Sequence, residues 1–250
     1  MRMLAVILAL LVPGAAAQPA EINALISTAL KSAMDELLPS FEREHGHTIR
    51  ASYGPSGALI PRFNAGQPAD IFLTDSAAID ELIKEGKVVP GRSDLARTGI
   101  GIAVRRGAPK PDVSSPEALK QALLAARSVG HAAPAGGSIT APHIMRMFEQ
   151  LGIAAEMAPK VRLAAGGPNG RVSVLISSGE AEIGLQQVSE LMSNPDVEVI
   201  GMLPPELQQV TTYSAGIATS AKEPDAARVL IHFLAAPDAI AIYKLRGLML

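Results

Sequence analysis

Four times along this 250-residue chain, a strand-like run ends in glycine, serine or threonine and gives way to a helical pattern. The junctions fall at Ser27-Thr28, Gly54 to Gly57, Gly136 to Ser138 and Gly166 to Arg171. A chain that alternates short apolar runs with amphipathic helices folds as an α/β protein with largely parallel sheets. The pattern predicts strands at Glu21 to Ile26, Thr48 to Tyr53, Ala69 to Thr74, Gly99 to Val104, Val129 to Ala132, Glu182 to Gln186, Val197 to Met202 and Thr211 to Ala218. Between them, Leu30, Met34, Leu37, Leu38 and Phe41 recur at helical spacing behind a Ser27 or Thr28 cap. Ser115-Pro116-Glu117 opens another helix, with serine as cap and proline at the first position.

The junctions also carry chemistry. A helix N-terminus offers N–H groups without intrahelical partners and the positive end of the macrodipole. Glycine lets a ligand approach the backbone, and serine or threonine adds a hydroxyl donor. In parallel sheets the ligand crevice lies at the carboxyl ends of the strands, where these junctions sit. Several such ends facing one cleft cage an anion without formal positive charge; any one alone reads equally well as a capped helix.

Composition narrows the alternatives. Cysteine is absent, which excludes a disulfide framework and thiolate chemistry. A net charge of -2 with no basic cluster argues against a nucleic-acid partner, and 3% aromatic residues without tryptophan argue against stacking on sugars. Residues 1 to 17 read as a secretory signal: Arg2, the apolar run Leu4 to Val12, and small residues Ala15 to Ala17 before Gln18. A nine-residue run is too short to cross a membrane, which needs about 20 residues.

Other side chains stay open between two readings. Lys31 and His143 read as carboxylate-binding or proton-transferring groups, or as a solvated lysine and a surface histidine. Arg62 and Arg97 read as carboxylate clamps or structural ion pairs. At least one amide of Gln186-Gln187 is expected to face the cleft. No His/Asp/Glu grouping has metal-ligand spacing, Ser56 lies in no nucleophile elbow, and no cofactor is expected.

Tyr53-Gly54-Pro55-Ser56-Gly57-Ala58-Leu59 followed by Gly66-Gln67-Pro68-Ala69-Asp70-Ile71-Phe72 resembles the core pattern of periplasmic molybdate-binding proteins. These belong to the type II periplasmic solute-binding superfamily. The resemblance implies two α/β lobes, each a mostly parallel sheet flanked by helices, with the ligand cleft between them. It places lobe 1 at 18–97 plus 212–250 and lobe 2 at 98–211. It also implies periplasmic capture of a small anion by hinge closure, a monomer, and membrane subunits of an ABC transporter as partners.

The expected ligand-binding residues are Ser27, Thr28, Ser56, Gly57, Gly137, Ser138, Asn169, Gly170, Arg171 and Tyr213. Ala29 stands where the molybdate pattern has serine, and Ala135 to Thr140 is rebuilt with two glycines and a serine, so the anion is either a molybdate-like oxyanion or a small di- or tricarboxylate. The runs Leu95 to Gly101, Leu123 to Ser128 and Leu203 to Gln208 resemble a branch that includes an exported aconitate isomerase. That alternative makes His143 and Lys31 catalytic.

Overall fold

The computed structural model describes residues 18–166 and 171–249. The signal-like segment therefore lies outside the described residues. The first unit alternates β1 (Glu21–Ser27), α1 (Lys31–His45), β2 (Thr48–Gly54), α2 (Ser56–Asn64), β3 (Ile71–Asp75) and α3 (Ser76–Lys84). Strand β4 (Ser93–Arg105) leads into the second unit of α4 (Pro116–Ala125), β5 (Val129–Ala132), α5 (Ala141–Gln150), α6 (Ala154–Met157), β6 (Val161–Ala164), α7 (Val172–Ser178), β7 (Ile183–Gln187), α8 (Val188–Leu191) and β8 (Val197–Met202). Strand β9 (Val210–Ile217) returns, and α9 (Pro224–Leu234) and α10 (Pro237–Leu245) complete the first unit.

Local chemistry sets these boundaries. In α1, Ala33, Met34, Leu37, Leu38 and Phe41 form one buried stripe. The helix ends where Gly46 takes φ 70°, a left-handed cap. Asp75 accepts from Ala78 N–H at 3.0 Å and Ser115 accepts from Ala118 N–H at 3.1 Å, capping α3 and α4. Ile22, Ala24, Leu25 and Ile26 are all buried, because β1 lies between β2 and β3 and is covered on both faces.

The two units repeat one scheme. Strand β1 pairs in parallel with β2 and β3, and β5 pairs in parallel with β6 and β7. The crossing strands add antiparallel pairs, β3 with β9 in the first unit and β4 with β7 and β8 in the second. Each sheet is thus parallel at its outer part and antiparallel where the chain crosses. One core in lobe 1 gathers Ile22, Met34, Phe41, Leu230 and Tyr243, and a second on the opposite face gathers Leu25, Leu59, Phe72 and Leu82. Lobe 2 has the same layering, with Ile102, Leu119, Ile144 and Phe148 on one face and Val172, Ile176 and Leu191 on the other.

Strand β4 joins the lobes. Its first half, to Gly99, pairs with β9; from Ile100 onward it pairs with β7. Apolar patterning predicts only Gly99 to Val104, because the polar residues Ser93, Asp94, Arg97 and Thr98 hold the ladder through the backbone rather than through apolar side chains. The strand β6 and the four-residue helices α6 and α8 are also unexpected, since runs that short show no periodicity.

Candidate functional site

The carboxyl ends of β1, β2 and β5 point into a cavity of about 310 Å³ between the lobes. From lobe 1, Ser27, Thr28, Lys31, Ser56 and Tyr213 line it. From lobe 2 come Ser138, Thr140, Arg171, Ser173, Gln187 and Glu190. Elements 100 residues apart in sequence therefore meet in one wall, as helix-capping junctions at strand ends dictate.

Its neutral donors form two clusters. In the first, the Ser27 and Ser56 hydroxyls stand 2.9 Å apart, both residues buried, and Ser27 also lies beside the Tyr213 phenol. Tyr213 donates to Gln187 Oε1 at 2.7 Å, and burial raises its pKa, so the phenol stays protonated. The second cluster runs from Ser138 through Thr140, 3.1 Å away, to Gln186 Oε1 at 2.9 Å. Ser138 also accepts from Ala141 N–H at 3.2 Å, at the start of α5. Both glutamines of β7 face this region, Gln186 at the second cluster and Gln187 at the first.

Three charged side chains share the cavity wall. Lys31 reaches Asp35 at 2.6 Å and sits over the Tyr53 ring at 4.9 Å from its centroid. Arg171 precedes α7, whose N-terminus has no side-chain cap. The third is Glu190, in the first turn of α8 and half-buried. Burial pushes its carboxyl above the usual range, while the Thr28 hydroxyl and the Arg171 guanidinium pull it back. Glu190 was not among the expected residues. The available signal was an acidic side chain three positions beyond Gln187, at the carboxyl end of a buried strand.

Several expected residues stand elsewhere. Gly57 N–H donates to the Gly137 carbonyl at 3.0 Å across the lobe interface, so that amide is occupied by protein, and neither glycine lines the cavity. His143 Nε2 lies 2.7 Å from the Leu207 carbonyl and is also absent from the lining of this cavity. Arg62 donates to the Tyr53 carbonyl, Ser52 and Gln67, bracing β2 against α2 instead of clamping a ligand. Arg97 is exposed, and its backbone pairs with Met249. Asn169 and Gly170 lie outside the described residues. Among the described residues, no group of three His, Cys, Asp or Glu side chains is placed to hold a metal ion.

Known proteins share this architecture. An aconitate isomerase from Pseudomonas sp. is 33% identical over 244 residues, covering 94% of this chain and 90% of that protein. The molybdate-binding protein of Azotobacter vinelandii is 27% identical over 240 residues, 93% of this chain and 91% of that protein. The solved structure of the Azotobacter vinelandii periplasmic molybdate-binding protein superposes with a TM-score of 0.75, with 19% identity in that alignment, covering 92% of this chain and 99% of that one. The model of the bacterial extracellular solute-binding protein family matches residues 22–248. The chain belongs to the bacterial extracellular solute-binding protein family.

Proposed function

We propose that the protein captures a small organic di- or tricarboxylate in the periplasm by closing its two lobes, as a monomer, and presents it to the membrane subunits of an ABC-type transporter. The observation that carries this reading is the set Lys31, Arg171 and Glu190 in the wall of a cavity of about 310 Å³. A tetrahedral oxyanion needs only neutral donors and helix ends. Pockets for organic ligands begin at about 300 Å³, and a guanidinium matches a carboxylate with two parallel hydrogen bonds. The hydroxyls of Ser27 and Ser56 and the Tyr213 phenol hold one carboxylate, and Arg171 with Lys31 holds another. Thr98-Gly99 on β4 and Val210-Thr211 on β9, paired with each other, supply the hinge. A thermal-shift screen of citrate, cis-aconitate and trans-aconitate against sulfate and molybdate tests it. The carboxylates should raise the melting temperature; a rise with molybdate alone contradicts the reading.

A second reading is isomerisation of aconitate on the same site. The 33% identity to a protein named aconitate isomerase supports it, as does Glu190, a carboxyl raised by burial in the cleft wall. The reaction removes a proton from the saturated carbon next to the double bond and returns one at the far end of the allylic system, with no net change in atoms. In this reading Glu190 exchanges the proton and Lys31 and Arg171 hold the carboxylates. Ultraviolet absorbance of purified protein with cis-aconitate decides it: a rate equal to the buffer blank removes the reading.

A further inference from the structure

An anion site is expected to turn donors toward its ligand, yet Glu190 turns a carboxyl group into this one. Its surroundings do not cancel it. Among the described residues, no Lys, Arg or His nitrogen stands within ion-pair distance of Glu190. From α1, Lys31 is engaged by Asp35 at 2.6 Å. Arg171, before α7, contributes at longer range, and the Thr28 hydroxyl lies against the carboxyl. From β9 the Tyr213 phenol faces it, held protonated. Behind Glu190 lies a second cavity shared with Lys31, Arg171, Asp35 and Arg246, and Arg246 is paired with Glu36 at 2.9 Å. An ionised carboxylate here shares the wall with an ionised ligand and has no ion-pair partner of its own.

We propose that Glu190 makes ligand capture proton-coupled and sets the specificity of the cleft: the bound complex holds one proton between Glu190 and the anion. A fully ionised ligand binds by taking that proton from solvent, while a ligand with its own hydroxyl supplies the hydrogen bond to the ionised carboxylate directly. The inference rests on the cleft being an anion site and requires no turnover. Its physical basis is the place of Glu190 in the cleft wall, with no ion-pair partner among the described residues and with burial of its carboxyl weakening the screening of two like charges.

Titration calorimetry in two buffers of different ionisation enthalpy counts the protons. With trans-aconitate, and with molybdate if it binds, proton uptake by the purified protein should rise toward about one per ligand as the titrations are repeated at increasing pH, through the range where Glu190 ionises in the free protein. Affinity should fall about tenfold per pH unit above the free-protein pKa of Glu190, as one-proton linkage requires. Citrate, which carries a hydroxyl, should bind with little uptake. In Glu190→Gln the uptake should vanish and the pH slope flatten, so that trans-aconitate binds the variant more tightly than the unaltered protein at the alkaline end of the series. Glu190→Asp should retain the uptake. Binding of a fully ionised probe with no proton uptake and no fall in affinity at any pH of the series, or the same uptake in Glu190→Gln, overturns the proposal. If none of the three anions binds, the anion-site reading falls and takes this inference with it. The measurement on the unaltered protein decides even if a variant fails to fold.

Discussion

Asp70 ties three segments together with one carboxylate. It accepts from Asn23 N–H at 2.8 Å and Asn23 Nδ2 at 3.1 Å, and from Lys222 N–H at 2.6 Å. Burial raises its pKa, but these donors outweigh that and hold it below the ordinary value. A lowered carboxylate stabilises the fold wherever it is ionised. Its contribution is therefore complete above the unfolded value near 3.8 and is lost as the pH falls through the folded value below it. Asp70→Ala should cost about 3 kcal/mol in urea unfolding at pH 7, because buried N–H groups lose a charged acceptor. The difference from the unaltered protein should shrink toward pH 3.

The motif that contains Asp70 was legible in the sequence, but its role as a structural tie was not, since its partners lie 47 and 152 residues away. Ser56 is the converse: its place in the cleft follows from the Gly-Pro-Ser-Gly turn. Ser56→Ala should weaken anion binding about tenfold, the worth of roughly one buried hydrogen bond. His143→Ala should leave affinity unchanged, because its ring faces Leu207. Equal losses in the two variants, read by calorimetry, would contradict this geometry. Glu190 escaped notice because a lone acidic residue in a four-residue helix leaves no periodic trace.

At the scale of elements, the start of α2 meets the turn before α5 backbone to backbone. Gly57 donates to Gly137 across the interface, and a Cβ on Gly57 would sit 2.8 Å from the Gly137 carbonyl oxygen. Gly137 itself has φ 81° and would place a Cβ 2.8 Å from Ala58 N. Two glycines are needed because two backbones touch where the lobes meet. Gly57→Ala should keep the lobes from closing, lowering affinity at least about tenfold while shifting unliganded stability by under about 1 kcal/mol, since each lobe keeps its own core. Solution scattering should show a larger radius of gyration for the variant in the presence of ligand; the same compaction as the unaltered protein would contradict this role for the contact. Strand-to-helix alternation was readable here because both periods persist for several residues. The crossing strands were only half readable, since β4 changes partners at Gly99-Ile100 without a change in its own pattern.

At the scale of the molecule, each lobe has a sheet with apolar cores on both faces, and the cavity lies between them. Alternation alone implied an α/β class with largely parallel sheets. The antiparallel pairs came from β4, which passes from one lobe to the other, and from β9, which pairs with β3 and the first half of β4, and spacing along the sequence carries no record of the partner change in β4. The described residues of the four junctions, Gly166 and Arg171 of the last among them, converge because parallel strands in two lobes present the same ends to one crevice.

Closure around a carboxylate, rather than around a bare oxyanion, is the central claim. Calorimetric titration of the purified protein with trans-aconitate tests it most directly. Saturable binding of one ligand per chain, lost when Arg171 is replaced by alanine, is the predicted result. Heat of dilution alone with trans-aconitate, beside stoichiometric binding of molybdate, would contradict it.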